Sequence, residues 1–301
     1  MPLLVTGSIG IDTIETPAGK VTDVLGGSSI YFACAASFFA PVRLVGVVGD
    51  DCPPNFLKPL FDNPYIDMAG LEVRKGSKTF RWHGRYHADV NERDTVAVEL
   101  NVLAERGPRI PEKFQDSRFV FLANTHPVLQ MELLDQLRRP TLVVADTMDL
   151  WINSQRDALT KLMARLNGIV LNDSEAKLLT GKSNVVAAGM DIARIVRNFC
   201  VVKKGEHGCL LFCHHNVYAI PSYPTVNVVD PTGAGDSFAG AMMGYLAAEE
   251  TFESPALRKA IGYGSVVASL ELEGFSLNKL LSIKRHDIEE RLRQFEELTS
   301  F

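Results

Sequence analysis

Val226-Asn227-Val228-Val229-Asp230-Pro231-Thr232-Gly233-Ala234-Gly235-Asp236-Ser237-Phe238-Ala239-Gly240-Ala241 decides how the rest of the chain is read. Its first four residues, mostly β-branched, predict a short strand, and Pro231, which has no N–H, ends that strand in a turn. Gly233 and Gly235 open backbone conformations closed to other residues. Phe238, Ala241, Met242 and Tyr245 recur at helical spacing, so a helix is predicted from about Asp236. A glycine turn feeding a helix N-terminus directs unpaired N–H groups and the positive end of the helix dipole at one point. That point suits an anion, or negative charge developing in a reaction. Asp236 stands beside it, either as an ordinary N-cap or as a base next to an anion hole. The glycine turn by itself leaves both readings open.

Upstream, short apolar strands alternate with helices. Val120-Phe121-Leu122-Ala123-Asn124 precedes a helical pattern over 128–138, Leu142-Val143-Val144-Ala145-Asp146 one over 155–166, and Ile169-Val170-Leu171-Asn172 one over 174–180. Cys200-Val201-Val202-Lys203-Lys204-Gly205 and a strand from Cys209 to Cys213 follow. This alternation predicts right-handed crossovers and a mostly parallel sheet buried between helices, with ligands at the carboxyl ends of the strands. Asn124, Asp146, Asn172 and Asp230 all fall there. Thr180-Gly181-Lys182-Ser183 imitates part of a phosphate-binding loop, but the earlier glycine is replaced by Ala176 and Gly181 ends a helix instead of opening one. It reads as a helix stop.

At the other end, Leu3 to Ile9 reads as a strand running into a glycine bend. The alternation of Ile11 to Thr16 excludes the helix a dinucleotide fold would place there. Asp12, just past a strand end, is a candidate ligand contact or a turn residue. Leu25-Gly26-Gly27-Ser28-Ser29 opens a buried helix containing Tyr31, and Val42 to Val48 is the next strand. Within residues 71–102, Phe80, Trp82 and Tyr86 alternate with Arg81, His83, Arg85 and His87, which predicts a small sheet with one aromatic face. A platform for single-stranded nucleic acid would look similar, but the chain carries a net charge of -5. No basic excess is available to hold a phosphate backbone.

The chain has 301 residues and is 46% apolar, enough for a sizeable core. No apolar run reaches membrane-spanning length, and the start lacks a basic leader, so a soluble cytoplasmic protein is expected. The five cysteines form no Cys-x-x-Cys pair and read as reduced thiols. Cys209, Cys213 and His215 share a predicted strand face, but nothing else completes a metal ligand set.

The intact string Asp230-Pro231-Thr232-Gly233-Ala234-Gly235-Asp236 resembles the signature of the ribokinase-like (PfkB) family of sugar and nucleoside kinases. The Gly26-Gly27 helix start, Asn172-Asp173-Ser174-Glu175, the Lys203 to Gly208 strand end and the segment from Gly262 to Leu272 match further family motifs in order. The resemblance implies a ribokinase-like three-layer α/β/α fold over 1–301, with a mostly parallel central sheet and a small β-sheet lid from roughly 12–25 and 71–102. It implies ATP and Mg²⁺ as cofactors, with a monovalent cation as a further candidate, and a homodimer through the lid as the candidate assembly. By resemblance, Asp236 is the catalytic base, and the amides of Gly233, Ala234 and Gly235 stabilise the phosphoryl group. Asp12, Gly26, Gly27, Tyr31 and Trp82 face the substrate. Lys203, Gly205, Thr232 and Gly235 serve the nucleotide, and Asn172 and Glu175 the metal; read on its own, the same stretch also suits a helix cap, with Asn172 or Asp173 as the cap and Glu175 placed for the dipole. Tyr31 departs from the Asn that many members use to touch sugar hydroxyls. With Phe80 and Trp82 it tilts the expected substrate from a sugar toward a nucleoside. The alternative is a non-catalytic sugar- or nucleotide-binding regulator, which has no need of Asp236 as a base.

Overall fold

The computed structural model describes residues 1–300. The chain begins with β1 (Leu3–Thr6), β2 (Gly10–Thr16), β3 (Gly19–Gly26), α1 (Ser28–Ser37), β4 (Val42–Gly49) and α2 (Lys58–Phe61). Next come β5 (Ile66–Arg74), β6 (Phe80–Tyr86), β7 (Arg93–Glu99), β8 (Phe119–Leu122), α3 (Pro127–Asp135) and β9 (Leu142–Asp146). The middle of the chain gives α4 (Asp149–Ser154), α5 (Arg156–Met163), β10 (Gly168–Asn172), α6 (Asp173–Thr180) and α7 (Val185–Ala193). It ends with β11 (Phe199–Lys203), β12 (Cys209–Cys213), β13 (Asn216–Ile220), α8 (Ala234–Glu249), α9 (Ser254–Glu271), α10 (Asn278–Ser282) and α11 (Arg285–Thr299).

Nine strands form one sheet in the order β13-β12-β11-β10-β9-β8-β1-β4-β5. The pairs from β11 across to β5 are parallel, and β12 and β13 add an antiparallel edge. Successive residues of a strand point to opposite faces, and the inner strands supply apolar residues to both. Val5, Phe121, Val144, Val170 and Val201 pack with α1, α8, α9 and α11 on one face. Leu4, Val120, Val143, Ile169 and Val202 pack with α3, α5, α6 and α7 on the other. Burial on both faces is why these strands read as unbroken apolar runs.

A second sheet, β3-β2-β6-β7, stands apart from the first. Its extent corrects the expectation over 71–102. Residues 66–74 are β5, the parallel edge of the large sheet, and the lid strands start at Phe80 and stop at Glu99. Arg74 holds β5 to the core side by donating to the Val102 carbonyl at 3.4 Å, Glu105 at 3.1 Å and the Arg106 carbonyl at 2.8 Å.

Two more expectations change. Val226 to Val229 is not a strand, because no strand lies beside it: β13 already forms the edge of the sheet, and Val226 is 95% exposed. The N–H groups of Val229 and Asp230 donate instead to the Leu272 carbonyl after α9. Helix α8 starts at Ala234, earlier than predicted, with Gly233 as its N-cap. Gly181 does close α6 in a left-handed conformation. No helix among the described residues is long and apolar enough to cross a membrane.

Candidate active site

A cavity of ≈ 710 Å³ opens at the carboxyl ends of β8 to β11, between those strand ends, the start of α8 and the lid. Asp12, Gly27, Tyr31, Trp82, Asn172, Glu175, Lys203, Thr232, Gly233, Gly235 and Asp236 all line it. Gly26, Gly205 and Ala234 are not part of its lining.

The turn into α8 explains its glycines. Gly233 has φ 83, and a Cβ there would lie 2.3 Å from the Tyr31 ring. Tyr31 is therefore a shelf under the turn, 1% exposed, with its hydroxyl buried and unpartnered. Lys203 Nζ comes within 2.6 Å of where a Gly235 Cβ would stand, so the ammonium rests on the first turn of α8. The Ala234 N–H donates to the Pro231 carbonyl at 3.3 Å, and the helix dipole, the remaining N–H groups of the turn and Lys203 together make a positive pole. Asp236 lies in that first turn but caps nothing, since the N-cap is Gly233 without a side-chain bond. Burial pushes its carboxyl up to about 6, with Lys203 and Arg93 pulling the other way and Glu175 adding to the rise. Such a group is ionised near neutrality yet still basic enough to take a proton.

Beside it, Asp146 is raised well above the usual carboxylate range by burial and then by Asp236, and its Oδ1 has no partner. Asn172 and Glu175 form a reciprocal cap of α6: Glu175 N–H donates to Asn172 Oδ1 at 2.7 Å, and Asn172 N–H to Glu175 Oε2 at 2.7 Å. Burial raises Glu175 while Lys203 opposes. Glu175 Oε1 stays outside the cap. The available donors are hard oxygens, the kind Mg²⁺ takes. Among the described residues no group of three or more His, Cys, Asp or Glu could hold a metal ion by itself. A site of one or two carboxylates fits an ion that keeps waters and takes phosphate oxygens.

On the other side, burial pushes Asp12 up to about 8, with Asp230 and Asp236 adding repulsion. Its Oδ1 is unpartnered, and its Oδ2 lies 1.9 Å from where a Gly26 Cβ would be. Gly27 turns the chain at φ 103 against the Ser8 carbonyl, 2.4 Å from a would-be Cβ. The lid brings Phe80, Trp82 and Tyr86 to the cavity. Thr232 Oγ1 donates to the Tyr86 hydroxyl at 3.2 Å, which ties lid to glycine turn. At the lid tip, Asn91 Oδ1 stands 2.4 Å from where a Gly205 Cβ would be, so the nucleotide-side loop meets the lid.

Sequence reasoning missed Arg93, His126 and Trp151, all of which line the cavity. Arg93 faces Tyr86 across β6 and β7, so a hairpin register centred on the polar turn could have found it. The contact between His126 and Trp151 joins two strand ends, and no local pattern carries it.

A helix N-terminus with a lysine on it and a half-buried carboxylate beside it, under a β lid on a doubly wound sheet, defines a ribokinase-like phosphotransferase. The description "pfkB family carbohydrate kinase" matches residues 3–280. The chain is 31% identical over 253 residues to a cytidine kinase of Thermococcus kodakarensis, covering 81% of this chain and 87% of that protein. It is 22% identical to an aminoimidazole riboside kinase of Salmonella typhimurium, covering 88% and 87%. A Burkholderia thailandensis nucleoside kinase, solved in complex with ADP-inosine, superposes with a TM-score of 0.80 at 18% identity, covering 99% and 96%. This chain belongs to the pfkB family of carbohydrate kinases. It is a phosphotransferase with an alcohol group as acceptor, an ATP-dependent sugar or nucleoside kinase.

Proposed function

We propose that the enzyme is a nucleoside kinase that transfers the γ-phosphoryl group of ATP to the primary hydroxyl of the ribose. The observation that carries this reading is the cavity itself: the Asp236 carboxylate and the α8 amides at one end, and the flat rings of Trp82, His126 and Trp151 around the rest. A free sugar needs no flat walls; a base does. The similarity to a cytidine kinase supports the same reading.

Phosphoryl transfer needs positioning and charge stabilisation. Asp236 accepts the hydroxyl proton as the oxygen–phosphorus bond forms and the bond to the β-phosphate oxygen breaks, releasing ADP. The amides of Gly233, Ala234 and Gly235, with Lys203, take the charge on the group in flight. Asp12, with the Gly26-Gly27 turn, holds ribose hydroxyls, while Thr232 and Gly205 belong to the nucleotide side. Glu175, positioned by Asn172, and Asp146 would hold Mg²⁺ through its waters, and the ion supplies neutralisation of the phosphate charge. Lid closure through the Tyr86–Thr232 contact excludes water from the phosphoryl group.

The chain works as one kinase domain over 1–301 in this reading. Its five unpaired cysteines suit a reducing compartment, the cytoplasm. A homodimer would form through the lid at the free edge of β7, which sedimentation of the purified protein tests. The function is tested by ADP release with ATP, Mg²⁺ and a panel of ribonucleosides, ribose and fructose. Faster turnover of nucleosides is expected, and a free sugar turned over faster than every nucleoside overturns the reading.

A further inference from the structure

One wall of the cavity comes from two adjacent strand ends: Asn124, Thr125 and His126 after β8, and Thr147, Met148 and Trp151 after β9. The hydrogen-bonding roles within it are fixed. Trp151 Nε1 donates to Asn124 Oδ1 at 2.9 Å. An indole N–H can only donate, so chemistry sets the amide's orientation and leaves Asn124 Nδ2 as a donor. The neighbour of Nδ2 is Met148 Sδ at 3.0 Å, a weak acceptor. The Val128 N–H donates to His126 Nδ1 at 3.2 Å, which puts the proton of the neutral ring on Nε2. The His126 ring stands edge-on to Trp151 with centroids 5.1 Å apart. Thr125 Oγ1 and Thr147 Oγ1 are buried without partners among the described residues.

Spare N–H donors and orphaned hydroxyls facing a cavity cost stability unless a ligand or water meets them. Phosphoryl transfer asks nothing of them, because the charge in flight is met by α8 and Lys203. They therefore serve the part of the substrate that does not react. Resting on the nucleoside kinase reading, we propose that this wall reads the nucleobase. Its pinned donors, Asn124 Nδ2 and His126 Nε2, select an edge with two neighbouring acceptors, a ring carbonyl beside an unprotonated ring nitrogen. Cytosine offers that edge with O2 and N3. Uracil carries a hydrogen on N3 and sets donor against donor. A site built around such bonds rejects the wrong analogue strongly, because its buried groups are then left unpaired.

The test compares kcat/KM for cytidine and uridine in wild type and in two variants. The ratio is taken within one preparation, so any loss of folded enzyme cancels. Wild type is expected to favour cytidine by at least about tenfold. Asn124→Asp keeps an oxygen for the Trp151 indole and replaces the amide donor by an acceptor; the ratio is expected to fall at least about tenfold with the KM for ATP unmoved. Trp151→Phe removes the indole N–H together with the pyrrole ring that carries it and frees the amide to turn, so the ratio should drift toward unity. A wild-type ratio near unity, or a ratio unchanged in both variants, overturns the base-reading wall and leaves nucleoside kinase activity standing. Wild type that phosphorylates free sugars but no nucleoside overturns both.

Discussion

The carboxylates of the cavity floor and those of the lid are pushed in opposite directions. In and beneath the floor, Asp12, Asp146 and Glu271 are buried and Asp236 half-buried, and all four are raised, chiefly by desolvation. In the lid, Glu15 is lowered to about 2 by hydrogen bonds from Arg85, then Lys20 and His83. The same functional group is used for different ends. The floor keeps acids basic enough to handle protons, at a cost in stability, because it is set in a core that does not yield. The lid holds its charge in solvent-exposed pairs, which break and reform cheaply. Chemistry is therefore placed on the large sheet and the covering surface on the small one.

Removing the base breaks the floor and should give the largest effect. Asp236→Asn keeps the shape, and turnover is expected to fall by about two to four orders of magnitude, with ATP binding retained in calorimetry. Because folding raises the pKa of Asp236 from 3.8 to about 6, stability falls as pH rises through that window. The amide variant should therefore melt higher than wild type at pH 8, by on the order of 2 kcal/mol, and not at pH 4. In wild type, kcat/KM should be lost as pH falls through about 6. Near-normal turnover in Asp236→Asn would end the mechanism.

Arg93 joins the two regions, since it is a lid residue that acts on the floor. It lies on β7, lowers Asp236 and Glu175, and sits 5.9 Å over the Trp82 ring. Arg93→Ala should lower kcat by about two orders of magnitude, as loss of one preorganised charge beside the reacting groups does. It should also move the acid limb of the pH profile upward, because Asp236 loses a stabilising charge. A limb that stays in place would mean that Arg93 only covers the lid aromatic.

How much of this was legible beforehand follows the same division. The two-faced apolar strands and the Asp230–Asp236 string are local, so the doubly wound sheet and the turn into α8 could be read from order alone. The Asn172 and Glu175 spacing carried both a capping and a metal reading, and the reciprocal cap is formed. What stayed hidden depends on partners far apart in sequence. Val226 to Val229 looked like a strand but had no neighbour to pair with. Tyr31 lines the cavity, and only the approach of Gly233 shows that it also serves as a shelf. Glu271, 0% exposed at the end of α9, is singled out by no local pattern.

Glu271 sharpens the floor's half of the comparison at smaller scale. Both of its oxygens are buried without partners, and burial, then Asp230 and Asp236, raise it well above 4.5. The folded chain holds it protonated while the unfolded chain ionises above 4.5, so wild type loses stability as pH rises from there. Glu271→Met, similar in volume and apolar, should raise the melting point at pH 8 by more than at pH 5, with a gain of about 1 to 3 kcal/mol. An equal or lower melting point at pH 8 would show that the acid meets a partner in solution.

The smallest effect belongs to the lid. Glu15 accepts from Arg85 Nε at 2.7 Å and Lys20 Nζ at 2.8 Å and contacts His83 Nε2 at 3.0 Å. Arg85 and Lys20 are about half exposed, at 52% and 51%, so water and salt screen the pairs. The lowered pKa means that any stability they add is present above 4.5 and lost as pH falls toward about 2. Glu15→Gln should therefore leave the melting point at neutral pH almost unmoved, and the small remaining difference should vanish in about 1 M salt, where the Debye length is ~3 Å. Turnover should change little, because Glu15 does not line the cavity. A large, salt-insensitive loss of stability would mean that the lid is built like the floor, and the contrast between the two regions would fall.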